Sequence, residues 1–578
     1  MQSTIVFSAL RQTSALLLAA VMVPSGWAQE SSSMPNAPSA QVQKAVPSAS
    51  QPFELKEYSQ PRSHFANPLA PYTPRKVAPP NLANTARVDQ LMRDGKLYLS
   101  MNDAVALALE NNLDIAIARY NLNIADTDIW RAKAGSATLG VNTGVVQGTP
   151  GGTGAGVGTT STGGGAGGTT AGTGGAGTGT AGLVSSTLGV GSAVPSFDPV
   201  LTGTLQFDRN HSIGSNAFTT TSEGNTTLAN FSYQQGFQWG TNLTVGFNNT
   251  RATTNSPFSI YSPQVSSNFR ATFSQPLLSG FGFLPNTRFI RIAKNNREIS
   301  DVAFRLQVIT TVNQIQNIYW DLVNAYENVK VQQDSLALGQ KTLSDNRKQV
   351  EIGTLAPIEV VRAQSVVATN QQSLIVAQTN LQLQQLLMKN ALSRTLVDPV
   401  LADAEVIPTD TMAVPEKEPI VPIQDLVNEA LAHRPELAES RIDLTNRDIN
   451  NKSARNALLP SLNLFAYYGG SGLGGVQNAG YICLQDPTNP QCQNFTPVPA
   501  SGYGDNLNQL VNSTAPDKGM GLQLTIPIRN RTNQANQVRA ELEYRQAQMR
   551  LQQQENQIRI EVRQAQFSMQ QFRAAVEA

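Results

Sequence analysis

The stretch "VEIGTLAPIEVVRAQS", residues 350–365, interrupts a long helical pattern with a glycine and a proline, and the helical pattern resumes at once. Gly353 suits the left-handed conformation that commonly ends a helix. Pro357 suits the first turn of the helix that follows. The stretch therefore predicts a tight turn near 352–357, at the tip of a long antiparallel helical hairpin that covers 286–395.

The apolar residues on both sides of this turn follow a coiled-coil spacing, with a period of about 3.5 residues. Before the turn they are Val308, Val312, Ile315, Tyr319, Leu322, Tyr326, Val329, Leu336, Leu343 and Val350. After the turn they are Val360, Ala363, Val367, Leu374, Ala377 and Leu381. A helix from Asn286 to Val350 would be about 95 Å long at about 1.5 Å per residue. Such a helix extends far beyond a compact domain.

The composition limits the kinds of protein that this chain can be. It has 578 residues, of which 14% are charged and 6% are aromatic, with a formal net charge of +1. Both fractions are low for a protein with a large compact core, so extended structure or low-complexity sequence must account for part of the chain. No block of lysine and arginine stands out, and nucleic acid is therefore excluded as a partner.

The N-terminal segment 1–28 has the pattern of a secretory signal. Arg11 is its basic residue, Ala15 to Val23 form the apolar run, and small residues precede a cleavage site after Ala28. The alternative is a soluble N-terminal helix. The apolar run is too short to span a bilayer, and no other stretch approaches the roughly 20 apolar residues that a membrane helix needs. Any insertion of this chain into a membrane is therefore expected to use strands.

Two segments have a strongly biased composition. Residues 29–90 are rich in serine, proline, alanine and glutamine, which predicts a flexible arm. Residues 135–192 consist mostly of glycine, threonine and alanine, which predicts a disordered insertion. The insertion contains "GTGAGVG", but no predicted strand precedes it and no helix opens from it. We therefore expect no dinucleotide site and predict no cofactor.

An internal repeat organises the rest of the chain. When the segment from Asp103 is aligned with the segment from Asp425, the identical pairs include Val105 with Val427, Ala108 with Ala430, Leu109 with Leu431 and Asp126 with Asp448. Each copy begins with a helix, 97–134 or 423–457, and continues with strands, 197–278 or 458–527. The first copy ends in the hairpin 286–395 and the second in the helix 529–578, with 396–422 as the connector.

The strand regions alternate between apolar and polar residues, as half-buried strands do. The apolar positions include Leu201, Leu205, Phe207, Phe231, Tyr233, Phe237, Trp239, Leu243, Val245, Phe247, Phe269, Ala271, Phe273, Leu462, Leu464, Ala466, Met520, Leu522, Leu524 and Ile526. The segment 229–248 is either one long strand or a hairpin that turns near Gly236. Alternation by itself fits a soluble sandwich equally well, but the long flanking helices favour membrane strands.

The number of strands predicts that several copies assemble. A barrel needs about eight strands to close, whereas this chain offers about four to six of suitable length. Lipid does not tolerate unpaired strand edges. Membrane strands from several copies must therefore be pooled, most simply around a rotational axis.

The hairpin tip would lie about 100 Å from the strands, where it contributes nothing to their packing. We therefore interpret it as a docking surface for another protein. The alternative is a solvent-exposed coiled-coil turn that has no partner.

The cysteines and histidines point to no catalytic or metal chemistry. Cys483 and Cys492 are close in sequence, and an exported chain meets an oxidising compartment, so a disulfide that closes a small loop is predicted. His64, His211 and His433 are scattered and none lies near the cysteine pair, which argues against a metal site. No nucleophile, base and orienting group form a recognisable set, so the chain is not expected to be an enzyme.

Four motifs together resemble the TolC-like outer membrane efflux proteins. They are "LSMNDAVALALENNLDIAIA", "ARNALLPSLNL" (454–464), "GLQLTIPIRNRTNQANQVRAELEYRQAQ" (521–548) and the hairpin stretch quoted above. The resemblance covers most of the chain from about residue 97 onward, except the insertion. It implies an α+β membrane protein in the outer membrane of a Gram-negative bacterium. Three copies would share one β-barrel, and their long antiparallel helices would form a tunnel across the periplasm.

The resemblance also implies partners and a site. The homotrimer would be a passive exit duct for efflux or type I secretion, joined to an inner-membrane pump through a periplasmic adaptor. Adaptors of this family meet the tunnel at its glycine-containing turn, which in this chain is Ile352, Gly353, Thr354 and Leu355. Outer membrane lipid would surround the barrel. The resemblance implies no catalytic residue, cofactor or resident metal and does not identify the cargo.

The second copy of the repeat departs from the family pattern. Gly353 lies 77 residues after Pro276, whereas only 51 residues follow Pro527 before Ala578. The second hairpin is therefore expected to stop before its tip, as a fragment or as a natural truncation, and no gating residues are assigned. The alternative function is that of a periplasmic structural or adhesive coiled-coil protein whose strands form a soluble sandwich.

Overall fold

The computed structural model describes residues 70–75, 77–146, 148, 191–216, 219–411, 421–485 and 499–577. The predicted signal segment 1–28, most of the predicted arm 29–90, most of the insertion 135–192, and Cys492 lie outside these residues.

Helices and strands alternate in the order that the repeat predicts, with additional short elements. The first part contains α1 (Ala86–Leu91), β1 (Met92–Arg93), β2 (Lys96–Leu99), α2 (Met101–Asn111), α3 (Leu113–Lys133), β3 (Val200–Asn216), β4 (Thr219–Gly236), β5 (Asn242–Thr254), β6 (Tyr261–Pro276), α4 (Phe283–Asn286), α5 (Arg288–Glu351) and α6 (Pro357–Leu392). The second part contains α7 (Pro399–Asp403), β7 (Glu405–Pro408), α8 (Ile423–His433), α9 (Pro435–Asn456), β8 (Ser461–Gln477), α10 (Ile482–Gln485), α11 (Tyr503–Val511), β9 (Pro516–Thr525) and α12 (Arg531–Glu577).

Helices α5 and α6 form the predicted long antiparallel hairpin. Helix α5 has 64 residues and α6 has 36, so α5 is about 96 Å long at about 1.5 Å per residue. Every residue of the predicted coiled-coil spacing is buried or half-buried. The prediction of a mixed α+β fold with long antiparallel helices is confirmed.

Six strands form one antiparallel sheet, in the order β3-β4-β5-β6-β8-β9. The first strand region supplies four of them and the second supplies two. Segment 229–248 is a hairpin, because β4 ends at Gly236 and β5 begins at Asn242. The turn is closed by the Phe237 amide, which donates to the Thr241 carbonyl at 2.8 Å, and Gly240 takes a φ of +97°.

A small second sheet was not predicted. Strand β2 pairs parallel with β7 and antiparallel with β1. Strand β2 overlaps the start of the segment 97–134, which was predicted as helix, and β7 lies in the connector 396–422, which was assigned no structure. The correction has a physical cause: Leu97, Leu99 and Val406 are buried against Tyr319 and its neighbours on α5, which stabilises a pairing between distant segments.

The helix predicted in each copy of the repeat is broken at the same repeat position. Helix α2 ends before Asn112, whose side chain caps α3 by accepting from the amides of Asp114 at 2.9 Å and Ile115 at 3.3 Å. In the second copy the aligned residue is Arg434, and Pro435 opens α9. A capping side chain and an N-terminal proline thus produce the same break.

The beginning of the predicted insertion is packed, not disordered. Asp128 of α3 accepts from the amides of Leu139 at 3.2 Å and Gly140 at 2.8 Å. Gln307 of α5 exchanges two hydrogen bonds with the backbone of Val146, at 2.6 and 3.0 Å. These backbone groups find partners on the helices, which offsets the low hydrophobicity of the segment. Similarly, α1 begins inside the predicted arm 29–90.

None of the described helices combines the length and the apolar character that crossing a bilayer would require.

Candidate functional site

The hairpin tip is closed by backbone hydrogen bonds that end α5 sharply. The Gly353 amide donates to the Val350 carbonyl at 3.0 Å, and the Thr354 amide donates to the Gln349 carbonyl at 2.9 Å. The Thr354 hydroxyl donates to the same Gln349 carbonyl at 3.0 Å. With Ile352 as the C-cap, this is the Schellman pattern, in which the two residues after the cap satisfy the last free carbonyls.

Gly353 permits this turn because its φ is +80°. An added Cβ would meet no atom within 4 Å. The left-handed conformation itself costs an L-residue about 1–2 kcal/mol. Glycine is therefore favoured here by backbone conformation and not by lack of space.

Helix α6 begins immediately after the turn. Ala356 is extended and Pro357 occupies the first turn of the helix. The Glu359 amide donates to the Ala356 carbonyl at 3.0 Å, and the Glu359 carboxylate pairs with Arg362 at 2.9 Å. Both ends of the tip are thus fixed by local interactions.

The tip presents exposed apolar side chains. Ile352 is 75% exposed, Ile358 58% and Val361 57%. Of the other predicted site residues, Gly353 and Thr354 are exposed and Leu355 is half-buried. Ile358 and Val361 were not among the predicted site residues, although their spacing of three residues, outside the coiled-coil positions, indicates a second apolar face at the start of α6.

Below the tip, the two helices of the hairpin come close at Gly339. The Asn370 side-chain amide of α6 donates to the Ser335 carbonyl of α5 at 3.0 Å. A Cβ on Gly339 would lie 3.1 Å from that same amide nitrogen. The absence of a side chain at Gly339 therefore allows a direct hydrogen bond between the helices.

The six-stranded sheet has one apolar face and one polar face. Cross-strand register places the following residues on the apolar face: Leu201, Leu205, Phe207, Phe231, Tyr233, Leu243, Val245, Phe247, Phe269, Ala271, Phe273, Leu462, Leu464, Ala466, Tyr468, Met520, Leu522 and Leu524. The polar face carries Thr204, Gln206, Asn230, Ser232, Thr244, Asn248, Asn268, Thr272 and Ser274. Phe207 is 71% exposed and Met520 80%, so the apolar face contains large side chains that the chain itself does not cover.

Arg288 joins the sheet to the helices. Its side chain is buried at the start of α5, where it donates to the carbonyls of Ser192 at 2.8 Å and Pro285 at 2.7 Å. Burial lowers the pKa of Arg288 to about 10. The guanidinium thus ties the segment before β3 to the first turn of α5.

The cysteines and histidines form no chemical centre within the described part of the chain. Cys483 is buried in α10, but Cys492 lies outside the described residues, so their pairing remains a prediction. His211 pairs with Glu223 at 3.2 Å, and His433 Nδ1 lies 3.0 Å from the Glu429 carbonyl. The described residues contain no group of three or more side chains suited to hold a metal ion.

Comparisons with solved structures return outer membrane channels. The chain is similar to the CmeC outer membrane channel of Campylobacter jejuni, with 16% identity, a TM-score of 0.44, and coverage of 78% of this chain and 67% of CmeC. It is similar to the outer membrane protein VceC of Vibrio cholerae, with 14% identity, a TM-score of 0.46, and coverage of 82% and 80%. It is also similar to CusC, with 14% identity, a TM-score of 0.46, and coverage of 87% and 84%.

No curated protein matches the chain. The family model described as outer membrane efflux protein matches residues 199–394 and 426–578. These two ranges make up more than half of the chain and include the six-stranded sheet, the hairpin α5–α6 and helix α12. The resemblance seen in the sequence is thereby confirmed, and the chain belongs to the outer membrane efflux protein family.

Proposed function

We propose that this protein is a passive exit duct of the outer membrane, formed by three copies of the chain and docked at its hairpin tips to a periplasmic adaptor. An inner-membrane pump reached through the adaptor supplies the energy. The chain itself contributes a wall and a docking surface and performs no catalysis.

The observation that carries the proposal concerns the apolar side chains of the apolar face. They form a band that runs obliquely across the six strands. On the side far from the helices, the continuous run of apolar residues ends at Phe207 on β3 and at Met520 on β9, and Ile213 is separated from it by Arg209 and His211. Directly paired residues form rows that cross the sheet. The row through Phe207 crosses β4 at Thr227, and the row through Met520 crosses β4 at Gln235, eight residues further along that strand. Five strand spacings separate β3 from β9.

That slope corresponds to strands tilted in a lipid layer. With about 3.3 Å per residue and about 4.8 Å between strands, the band is inclined by about 45° to the register rows. Strands in membrane barrels tilt by about 35–45°. A band that is oblique on the sheet becomes level in the membrane when the strands tilt by that angle, which supports a lipid-facing outer surface.

The two edges of the sheet support assembly from several copies. Each of the six strands is antiparallel to its neighbour, so β3 and β9 run in opposite directions. Joining β9 of one copy to β3 of the next therefore continues the antiparallel pattern. Three copies would contribute eighteen strands, and closure would remove the unpaired edges that lipid does not tolerate.

The polar face of the sheet suits the wall of a duct. Apart from aromatic residues on β8, it consists largely of threonine, serine, asparagine and glutamine. Arg270 on this face stacks over Tyr467 at 3.8 Å and lies 3.9 Å from Asp517. Neutral hydrogen-bonding groups and a compensated charge allow a water-filled interior.

The hairpin tip suits a helical partner. Ile352, Ile358 and Val361 project apolar side chains beside a rigid turn, and an amphipathic helix pair recognises such a surface through its own apolar positions. The length of α5 places this surface about 96 Å from the sheet, which fits contact with a protein on the far side of the periplasm.

The alternative of a soluble periplasmic sandwich is not supported. Among the described residues, the six long strands lie in one sheet, and the other sheet is the small β1-β2-β7 sheet at the helices. Helix α11 covers part of the apolar face, but Phe207, Met520 and Leu522 remain more than 60% exposed. A sandwich would bury these side chains against a second sheet.

Membrane retention and native mass test the proposed function. The full chain, expressed in a Gram-negative host, should stay in the outer membrane fraction after a carbonate wash. In detergent, its native mass should be three times that of the denatured chain. Release by the wash, or a monomeric mass, would contradict the proposal.

A matched pair of variants tests the assigned faces. Leu522→Asp places a charge on the apolar face of β9 and should reduce membrane retention, because a charge facing lipid costs about 2–4 kcal/mol near the middle of the bilayer. Gln523→Asp places the same charge on the polar face of the same strand and should be tolerated. Equal losses in both variants would show that the faces are wrongly assigned.

A further inference from the structure

The six-stranded sheet contains four lysine and arginine residues, and three of them lie on its apolar face: Arg209, Arg251 and Lys518. The fourth, Arg270, lies on the polar face. A charged side chain at the middle of a lipid-facing surface is unfavourable, so the positions of these three residues within the face require an explanation.

All three stand at the same boundary of the apolar band, the one far from the helices. Arg209 is the next residue on this face after Phe207, and Lys518 is the next after Met520. Arg251 follows Phe247 on this face with only Asn249 between them. Because the band runs obliquely across the strands, residues that belong to different cross-strand rows lie at the same position along the membrane normal.

The three cations are exposed and form no ion pair or side-chain hydrogen bond with any residue that the structure describes. The carboxylates on the same side make their hydrogen bonds elsewhere: Glu223 contacts His211 at 3.2 Å, and Asp505 accepts from the Gly502 amide at 2.8 Å. On the polar face, by contrast, Arg270 has Asp517 nearby. This boundary of the apolar face therefore carries more cations than carboxylates: Arg209, Arg251 and Lys518 against Glu223 and Asp505.

An apolar groove lies beside Lys518. Helix α11 rests on the apolar face, where the Asn506 amide donates to the Ser267 hydroxyl at 3.1 Å and Tyr503 donates to Asn249 at 3.0 Å. A groove of about 380 Å³ between the helix and the sheet is lined mainly by Phe247, Phe269, Tyr468, Leu507, Leu510 and Val511. Tyr468 is the cross-strand partner of Lys518, so the groove opens next to a cation.

The edge positions of two of the cations add to this arrangement. Arg209 is on β3 and Lys518 is on β9, the two edge strands of the sheet. If copies join edge to edge as proposed, Lys518 of one copy and Arg209 of the next come to the same height at the seam. Two like charges at one seam repel each other unless an anion lies between them.

We propose that Arg209, Arg251 and Lys518 form a binding zone for lipids with a phosphate-bearing anionic headgroup. At the seam between two copies, the phosphate lies between Lys518 of one copy and Arg209 of the next, with Arg251 two strands from Arg209. One acyl chain of the lipid lies in the groove beneath α11, next to Lys518. Arginine and lysine are the side chains that bind phosphate oxygens most strongly. The inference rests on the proposed function, because it requires that the apolar face contact lipid.

The test compares two triple variants of the full chain with the same loss of charge. The first is Arg209→Gln, Arg251→Gln and Lys518→Gln. The control is Lys330→Gln, Lys341→Gln and Arg347→Gln, which removes three exposed cations from the hairpin. Binding of phosphatidylglycerol and of phosphatidylcholine with identical acyl chains is measured for each purified protein by native mass spectrometry in detergent.

The wild type and the control should bind phosphatidylglycerol about tenfold more tightly than phosphatidylcholine, since each cation at a lipid surface contributes to the attraction. The first variant should lose this preference while it still enters phosphatidylcholine nanodiscs with unchanged strand content. Retention of the preference in that variant overturns the inference. The inference is also overturned if the wild type enters nanodiscs but shows no preference for phosphatidylglycerol. If the wild type does not enter nanodiscs, the proposed function is contradicted instead.

Discussion

The hydroxyl of Tyr319, buried in the middle of α5, donates to the backbone carbonyl of Leu99 at 3.1 Å. This bond connects the long hairpin to the small β1-β2-β7 sheet across 220 residues of sequence. The same hydroxyl accepts from the Asp410 amide at 3.3 Å. The small sheet is thereby held against the hairpin at a defined position along α5.

Replacing Tyr319→Phe removes both hydrogen bonds and keeps the ring. The Leu99 carbonyl also accepts from the Thr409 amide at 3.0 Å, so it is not left without a donor. We expect a loss of about 1 kcal/mol in the free energy of unfolding, measured by chemical denaturation in detergent at pH 7. Tyr326→Phe, which removes the hydroxyl of a half-buried tyrosine on the same helix, serves as the comparison.

The same substitution also predicts a difference at high pH. Burial raises the pKa of Tyr319 from 10.0 to about 12. A folded pKa above the unfolded pKa means that folding disfavours the ionised form, so stability is lost as the pH rises from 10 through 12. The Phe variant cannot ionise at this position, and its deficit relative to wild type should therefore shrink over that range. A constant deficit from pH 9 to pH 12 would count against the buried position of the hydroxyl.

Gly353→Val should disturb the tip and leave the sheet intact. Valine at a φ of +80° is strained by about 1–2 kcal/mol or more, which should open the turn and reduce crosslinking to an adaptor from a photoreactive residue at Ile358. Gly353→Asn is the matched control, because asparagine tolerates the left-handed conformation better. Membrane retention should not change. Equal loss of crosslinking and retention would remove the docking role from the tip.

Gly339 and Asn370 should be energetically coupled. Alanine is favoured over glycine within a helix by about 1 kcal/mol, but its Cβ at position 339 would lie 3.1 Å from the Asn370 amide nitrogen. Gly339→Ala should therefore stabilise the protein more in an Asn370→Ala background than in the wild type. A double-mutant cycle of thermal unfolding midpoints measures the difference. Simple additivity would mean that the close approach has no energetic effect.

Asp126 of α3 and Arg297 of α5 form a largely buried ion pair at 3.0 Å. Burial raises the pKa of Asp126, and Arg297 opposes that effect. Arg297→Gln should leave a buried carboxylate without its cation, at a cost of about 3 kcal/mol near pH 7. Arg305→Gln, which removes a more exposed i,i+4 pair with Asp301, should cost less than about 1 kcal/mol.

The cost of Arg297→Gln should depend on pH. Removing the arginine raises the folded pKa of Asp126 further above its unfolded value, so folding then favours the protonated acid. Stability of the variant is therefore highest at low pH and is lost as the pH rises through the unfolded and folded pKa values. The deficit relative to wild type should be small near pH 4 and should grow toward pH 7. A deficit that is the same at both values would indicate that the ion pair contributes little.

The features that depend on local conformation could be predicted from the sequence. Gly353 and Pro357 specify the tip through their own backbone preferences, and the coiled-coil spacing specifies which side of each helix is buried. The alternation from Phe231 to Phe247 specifies two unlike faces of the strands, because successive side chains on a strand point to opposite sides. The four predicted tip residues came from the resemblance to the family's glycine-containing turn. Ile358 and Val361 were not predicted, because their exposure depends on where the partner helix packs.

The pairing of distant segments, and the register in which they pair, followed only from the packing of the whole chain. Local preference did not indicate that Lys96–Leu99 would lie parallel to Glu405–Pro408, since that pairing depends on Tyr319 and its neighbours on α5. Likewise, Arg209, Arg251 and Lys518 are isolated basic residues in the sequence. They share one boundary because the hydrogen-bonded register of six strands sets their relative heights, and register is a property of the strand pairs that no single strand contains.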